Sequence, residues 1–124
     1  AAVTVFYEIW NQPMMTVNGQ HLISEVIRLC GGQNVFADLD KLAPNVGIEP
    51  VLAADPDVII ASSNDGKAPD WLFDWKRWPD LGAVRYGNLF YVNWNHINRH
   101  SPRILKGVRD VCELLETARK NMRQ

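Results

Sequence analysis

Two runs of β-branched and aromatic residues, residues 3–10 and 58–62, constrain the fold of this chain more than any other feature. Runs of this composition are typical of buried strands. Residues 20–30 lie between them and have apolar side chains at helical spacing, followed by two glycines that end a helix. A strand, a helix and a second strand in this order form a parallel pair with a crossover connection. This part of the chain therefore predicts an α/β fold.

The next segments continue the alternation of strands and helices. Residues 49–54 are predicted to form a short helix with proline in its first turn. Residues 70–78 have an amphipathic helical pattern, whose inward stripe is predicted to be Leu72, Trp75 and Trp78. We therefore expect the 124 residues to form one domain, a three-layer α/β/α lobe with a mostly parallel central sheet and a long C-terminal helix.

The C-terminal part of the chain predicts a strand pair and this long helix. Residues 83–86 and 89–93 flank a Gly-Asn turn and are predicted to be a hairpin or two short edge strands. Residues 101–122 are predicted to form the last helix, with Ser101 as its N-cap and Pro102 as its first residue. Helical spacing predicts a buried face made of Ile104, Leu105, Val108, Val111, Cys112 and Leu115.

Composition and charge exclude several classes of protein. With 47% hydrophobic and 22% charged residues, the chain has the composition of a globular domain and not of a disordered segment. Its formal net charge is -1 and it has no basic run, which argues against binding to nucleic acid or to an anionic membrane. Its apolar stretches are too short to span a bilayer, so we expect no direct insertion into a membrane.

The sequence also lacks the residue patterns of common enzymes. It contains no nucleophile elbow, phosphate-binding loop, dinucleotide-binding glycine motif or zinc-protease motif. His96 and His100 lie four residues apart, as metal ligands on one helix do, but a helix begins only after them. Both histidines are therefore predicted to lie in a loop. We predict a protein that is not an enzyme and that holds no resident cofactor or metal.

Aromatic residues stand at the ends of two predicted strands. Trp10 ends the first strand and Trp94 ends a late one, and polar or methionine side chains follow each of them. Ligands bind at the carboxyl ends of strands in α/β sheets, and an apolar surface edged by polar groups suits a large, partly polar ligand. The alternative is that both tryptophans only cover the core. The predicted ligand-binding residues are Trp10, Met14, Met15, Trp94, Asn95, His96 and Arg99.

The two cysteines, Cys30 and Cys112, each lie in the closing part of a helical pattern. Taken alone, they are either buried thiols that pack as small hydrophobic groups or one disulfide. A disulfide would require an oxidising compartment such as the periplasm. The residues alone slightly favour the thiols.

Four segments of the chain resemble a known family: IRLCGGQNVF at residues 27–36, VGIEPVLAADPDVII at residues 46–60, the region 77–92, and RHSPRIL at residues 99–105. They are similar to the C-terminal lobe of those ABC-importer substrate-binding proteins whose two lobes are joined by a helical backbone. Members of this class capture cobalamin, haem or iron-siderophores. The similarity is greatest to the members that bind cobalamin.

The resemblance implies a function and a location. The 124 residues would be the C-terminal lobe of a two-lobed receptor, without its N-terminal lobe. The receptor would be a periplasmic monomer that captures a corrinoid, with cobalamin as the transported ligand. It would deliver this ligand to the membrane permease and ATPase of an ABC importer. One alternative is a receptor for an iron-siderophore or haem, with His96 or His100 as an iron ligand. An intracellular α/β enzyme or regulatory domain is the alternative from a different class.

The resemblance also implies roles for single residues. Glu49 corresponds to a surface glutamate that meets arginines of the permease, and a carboxylate at an exposed helix start is suited to such docking. Cys30 and Cys112 correspond to the cysteines of a disulfide, which favours the second interpretation given above.

Further correspondences and two departures concern the ligand. Arg99 corresponds to an arginine of the ligand cleft, and residues 14–15 correspond to an apolar contact on the same rim. Ala43 stands where the cobalamin-binding members have a tryptophan. Residues 95–96 are Asn-His where those members have Asp-Trp. The departures bear on the identity of the ligand more than on the family.

Overall fold

The computed structural model describes residues 2–93 and 102–123 of the chain. Within these ranges the strands are β1 (Val3–Glu8), β2 (Trp10–Asn11), β3 (Met14–Met15), β4 (Gly32–Asn34), β5 (Val58–Ser63) and β6 (Leu89–Asn93). The helices are α1 (Leu22–Leu29), α2 (Ile48–Ala54), a 3-10 helix (Asp70–Arg77), α3 (Gly82–Arg85) and α4 (Ile104–Met122). None of these described helices is long and apolar enough to cross a membrane.

A parallel sheet with the strand order β4-β1-β5-β6 forms the centre of the lobe. Val5 pairs with Val58, and Ile60 pairs with Phe90, so these neighbouring strands run in the same direction. The short strands β2 and β3 form a separate antiparallel hairpin. The predicted α/β fold, with a mostly parallel sheet and a C-terminal helix, is confirmed.

Helices cover both faces of the sheet because its central strands bury side chains on alternating sides. Tyr7 of β1 and Ile60 of β5 pack with residues of α1 and α4 on one face. Phe6 and Ile59 pack with residues of α2 and the 3-10 helix on the other face. Strands that are buried on both faces read as continuous apolar runs, which explains the pattern at residues 58–62.

The segment predicted as an amphipathic helix forms the 3-10 helix. Leu72 and Trp75 are buried in it and Trp78, directly after it, is half-buried, so the predicted inward stripe is confirmed. The rings of Trp75 and Phe6 form an edge-to-face pair with 5.8 Å between their centroids. This contact fixes the 3-10 helix over the last part of β1.

Cys30 and Cys112 form a disulfide that links the end of α1 to α4. Their sulfur atoms are 2.03 Å apart and their Cα atoms 4.9 Å apart. The pairing that the resemblance implied is confirmed, and the interpretation as free thiols is wrong. Arg119 of α4 also donates a hydrogen bond of 2.8 Å to the main-chain oxygen of Cys30, so a second contact joins the same two elements.

Of the hairpin or pair of edge strands predicted at residues 83–86 and 89–93, the second strand is confirmed as the edge strand β6. The first strand and the hairpin are wrong, because α3 replaces that strand and β6 pairs in parallel with β5. The main-chain N–H of Gly82 donates to Asp55 Oδ1 at 2.8 Å. The Asn88 side chain donates to the main-chain oxygen of the residue before β5 at 3.1 Å. These two bonds hold α3 and the start of β6 against a distant loop. Gly87, with a φ of 72°, ends α3 instead of forming a hairpin turn.

The last helix begins at Ile104, and the predicted start at Ser101 and Pro102 is wrong as far as the structure describes it. Pro102 lies in a turn before the helix, and Ser101 lies outside the described residues. Leu105, predicted to be buried, is 75% exposed. Leu105 lies two residues before Gly107, the first buried residue of the helix. Residues two apart lie on nearly opposite sides of a helix, so the Leu105 side chain faces the solvent. The fully buried residues of α4 are Gly107, Val111, Leu115 and Ala118.

Candidate ligand-binding site

Three parallel strands end at one edge of the sheet. β1 ends at Glu8, β5 at Ser63 and β6 at Asn93. The carboxyl edge of an open α/β sheet is where ligands bind, because the loops that leave neighbouring strands diverge and open a crevice. This edge is therefore the candidate ligand-binding site.

The β2–β3 hairpin presents Trp10 at this edge. The sequence predicts one strand through residue 10, but β1 ends at Glu8 and Trp10 pairs with Met15 across the hairpin. The indole Nε1 donates to the main-chain oxygen of Gln12 at 2.8 Å, and 49% of Trp10 remains exposed. Because its N–H is bonded within the hairpin, the indole offers mainly apolar surface to a partner.

Met14 and Met15 are half-buried on the same hairpin. The main-chain N–H of Val46 donates to the main-chain oxygen of Met14 at 2.9 Å, and that of Thr16 donates to Pro44 at 3.1 Å. These bonds fix the hairpin to the segment that leads into α2. The structure thus places three of the predicted ligand-binding residues together, and their contact with a ligand stays a prediction.

A polar groove of about 410 Å³ adjoins Trp10. Its other wall is the loop after β5, in which the Ser63 hydroxyl donates to the main-chain oxygen of Lys67 at 2.7 Å. The main-chain N–H of Lys67 donates to Asp65 Oδ1 at 3.0 Å, and this bond lowers the pKa of the Asp65 carboxyl group. The loop is thus held by its own side chains, which defines the shape of the groove.

A second cavity, of about 280 Å³, lies between the end of β1 and the 3-10 helix. Glu8 lines it, is 3% exposed, and accepts a hydrogen bond of 2.8 Å at Oε1 from the Trp75 indole. Burial raises the pKa of Glu8 to about 7; the bond from Trp75 opposes this increase and the charge of Asp74 adds to it. Trp71 lines both this cavity and the polar groove, so the two are neighbours at the same edge.

Sequence reasoning misses Glu8 as a residue of this site. The available signal is the alternation of β1, in which Glu8 follows Phe6 by two residues and so points to the same face of the sheet. Its partner Trp75 is 67 residues away in the sequence. No local pattern connects the two side chains, and only the packing of the 3-10 helix on β1 brings them together.

Glu49, the predicted docking residue, is exposed in the first turn of α2. The N-cap of this helix is Gly47, which provides no side-chain hydrogen bond. A carboxylate is favourable at this end of a helix, where unpaired N–H groups concentrate positive charge. Glu49 forms no salt bridge with residues 2–93 or 102–123. Its docking role stays a prediction.

The other predicted ligand-binding residues, Trp94, Asn95, His96 and Arg99, lie outside the residues that the structure describes. Their roles stay predictions, as does a role for His100 as an iron ligand. Among the described residues, no group of three or more histidine, cysteine, aspartate or glutamate side chains is placed to hold a metal ion.

Both the sequence and the fold are similar to those of periplasmic binding proteins. A vitamin B12-binding protein of Vibrio parahaemolyticus is 36% identical in an alignment of 123 residues that covers 95% of this chain and 42% of that protein. The crystal structure of the periplasmic vitamin B12-binding protein of Vibrio cholerae matches with a TM-score of 0.84 at 35% identity, over 96% of this chain and 46% of that one. A periplasmic haem-binding protein of Roseiflexus, with a TM-score of 0.78 at 17% identity over 95% of this chain and 47% of that one, shares the fold alone. No protein-family model matches the chain.

The parallel sheet, its helical layers and these structural neighbours define the class: the chain has the fold of a periplasmic binding protein lobe. Within this class it is a homologue of the bacterial vitamin B12-binding proteins, which confirms the resemblance seen in the sequence. The chain spans 42% of the length of the first of these relatives. These homologues are binding proteins and not enzymes.

Proposed function

We propose that this chain is the C-terminal lobe of a two-lobed substrate-binding protein that captures cobalamin for an ABC importer. The observation that carries the proposal is the exposed indole of Trp10 at the carboxyl edge of a lobe homologous to vitamin B12-binding proteins. Cobalamin would lie between this edge and the N-terminal lobe.

The surface at this edge suits a broad ligand that is partly apolar. Trp10 offers a rigid aromatic plane, and Met15, its partner across the hairpin, adds a thioether side chain that adapts to irregular shapes. Met14 lines the neighbouring cavity. Indole and thioether groups pack well against a large macrocycle such as the corrin ring. The polar groove next to Trp10 provides hydrogen-bonding groups at the margin of this surface, as ligand sites commonly do.

The disulfide supports a periplasmic location for the receptor. Bridges such as Cys30–Cys112 persist in oxidising compartments and are rare in the reducing cytosol. In that compartment the receptor would pass its ligand to a membrane permease driven by an ATPase. The solved vitamin B12-binding protein of Vibrio cholerae is likewise a periplasmic protein.

Calorimetric titration of cobalamin into the intact two-lobed receptor tests the proposal. We expect binding, and we expect Trp10→Ala to weaken it about tenfold or more, because an aromatic anchor with most of its exposed surface at the interface is lost. Phe73→Ala is the matched control: Phe73 is 45% exposed on the 3-10 helix, outside the predicted contacts, and affinity should not change.

Two outcomes would contradict this proposal. The first is the absence of any heat or spectral change on addition of cobalamin. The second is tight binding of haem whose absorption band disappears when His96 or His100 is replaced, which would identify a haem receptor.

Replacement of the exposed Glu49 tests docking to the permease. In the intact receptor, Glu49→Arg should lower cobalamin transport about tenfold or more while leaving ligand affinity unchanged, because like charges would then meet at the interface. Glu113→Arg, at an exposed glutamate of α4, should leave transport unchanged. An equal loss of affinity and transport in Glu49→Arg would refute the docking role.

A further inference from the structure

We propose that the Glu8 carboxyl group binds a primary amide of the ligand in the 280 Å³ cavity between β1 and the 3-10 helix. This inference rests on the proposed function, because cobalamin carries acetamide and propionamide groups around its corrin ring. It adds a residue and a chemical group that determine which ligand the site accepts.

Glu8 faces this cavity from the last position of β1. The bond from the Trp75 indole to Oε1, at 2.8 Å, is the only hydrogen bond that the carboxyl group makes within residues 2–93 and 102–123. Oε2 can therefore bond to a group that enters the cavity. Met14 and Trp71 also line it, and Trp71 continues into the groove beside Trp10. The cavity thus adjoins the surface proposed to hold the macrocycle.

The surroundings of Glu8 favour its protonated form up to about pH 7. Burial raises the pKa of Glu8 to about 7. The charged side chains that line the same cavity are Asp74 and Arg77, both on the exposed side of the 3-10 helix. The other walls, from the hairpin and residues 46–48, contribute amides and apolar groups. A protonated carboxyl group donates one hydrogen bond and accepts another, as a primary amide does, so the two groups pair through two bonds.

A purely structural role explains Glu8 poorly. A glutamine would offer Trp75 the same acceptor. It would also avoid the loss of stability that occurs when the buried Glu8 carboxyl group ionises at alkaline pH. A residue that departs from the local pattern of its environment and lines a cavity is a candidate for function. Asp74 and Arg77 line the cavity with opposite charges, so they give it no net charge that would attract an ionic group in preference to a neutral one. The cavity therefore suits a neutral amide, which can pair with the protonated Glu8 carboxyl group.

The test is the pH dependence of cobalamin affinity in the intact receptor and in its Glu8→Gln variant. Wild-type affinity should fall about tenfold between about pH 6 and pH 8.5, because ionised Glu8 can no longer donate to the amide carbonyl. Glu8→Gln keeps a donor and an acceptor at every pH, so its affinity should show no such fall. Any pH dependence that comes from the histidines remains in both proteins, and only the difference between them is assigned to Glu8.

Two further variants complete the experiment. Glu8→Leu should lower affinity about tenfold to a hundredfold at about pH 6, because the amide would be buried without a partner. Glu113→Gln, the same chemical change on the helix that covers the opposite face of the sheet, should keep the wild-type profile. Identical pH profiles of wild type and Glu8→Gln, with binding intact, would overturn the role of Glu8 alone. A wild-type receptor that does not bind cobalamin would overturn the proposed function together with it.

Discussion

Reduction of the Cys30–Cys112 disulfide is expected to lower the free energy of unfolding of this chain by about 4 kcal/mol. The two cysteines are 82 residues apart, so the bridge closes a long loop and removes many conformations from the unfolded chain. In the chain-entropy model this constraint is the main source of the stabilisation. Urea unfolding followed by tryptophan fluorescence, with and without a reducing agent, measures the difference.

The double variant Cys30→Ser, Cys112→Ser is the control for this prediction. Without reductant it should unfold at the same urea concentration as reduced wild type, and reductant should not shift its transition. Two free thiols in the unreduced, denatured wild-type protein, or equal stability of the oxidised and reduced forms, would contradict the prediction.

The two central strands of the sheet could be predicted because their signals are local, whereas the edge strand β4 at Gly32–Asn34 is not predicted. Strands β1 and β5 are buried on both faces, and this burial requires the β-branched and aromatic runs that the sequence shows. The intervening helix α1 has a clear apolar stripe and a double glycine at its end. A helix between two such strands leaves essentially one arrangement, a parallel pair with a crossover. The three layers follow from the same pattern.

The region around α3 could not be predicted because distant contacts determine it. A Gly-Asn pair between two short apolar runs is the common signal of a hairpin turn. In this chain Asn88 bonds instead to the residue before β5, and Asp55 accepts a hydrogen bond from Gly82. These partners lie 31 and 27 residues away, which a local pattern cannot show. Leu105 illustrates the same limit. Helical spacing groups it with the apolar residues of the last helix, but only the packing of that helix on the sheet determines which of these residues are buried.

For the site, the sequence identifies the edge of the sheet but not all of its chemistry. Trp10 and the two methionines after it are recognisable because they follow a strand end, where ligands bind. In the sequence, Glu8 is a single polar residue in an apolar strand. Its proposed role depends on the hydrogen bond from Trp75 and on the cavity that both residues line. The electrostatic properties of a buried group arise from tertiary packing, so sequence reasoning alone could not assign them.

At about pH 8.5, the free energy of unfolding of the Glu8→Gln variant of this chain is expected to be about 3 kcal/mol higher than that of wild type, so the variant is the more stable protein. Folding raises the pKa of Glu8 from 4.5 to about 7, so the folded state binds a proton that the unfolded state releases. The contribution of Glu8 to the free energy of unfolding of wild type is therefore greatest below about pH 4.5, and it is lost as the pH rises to about 7. Glutamine does not ionise and still offers Trp75 an acceptor, so it avoids this loss.

Urea unfolding of wild type and variant between about pH 4 and pH 9 measures this difference, because other carboxyl groups contribute equally to both proteins. The two stabilities should agree at the acid end of the range and separate above about pH 5 until the difference becomes constant above pH 7. Glu113→Gln, at an exposed carboxyl group, should follow wild type throughout. A variant that is less stable than wild type at alkaline pH, or a difference that does not change with pH, would show that Glu8 is not a buried acid of raised pKa. The same result would remove the physical basis for pairing its protonated form with an amide of the ligand.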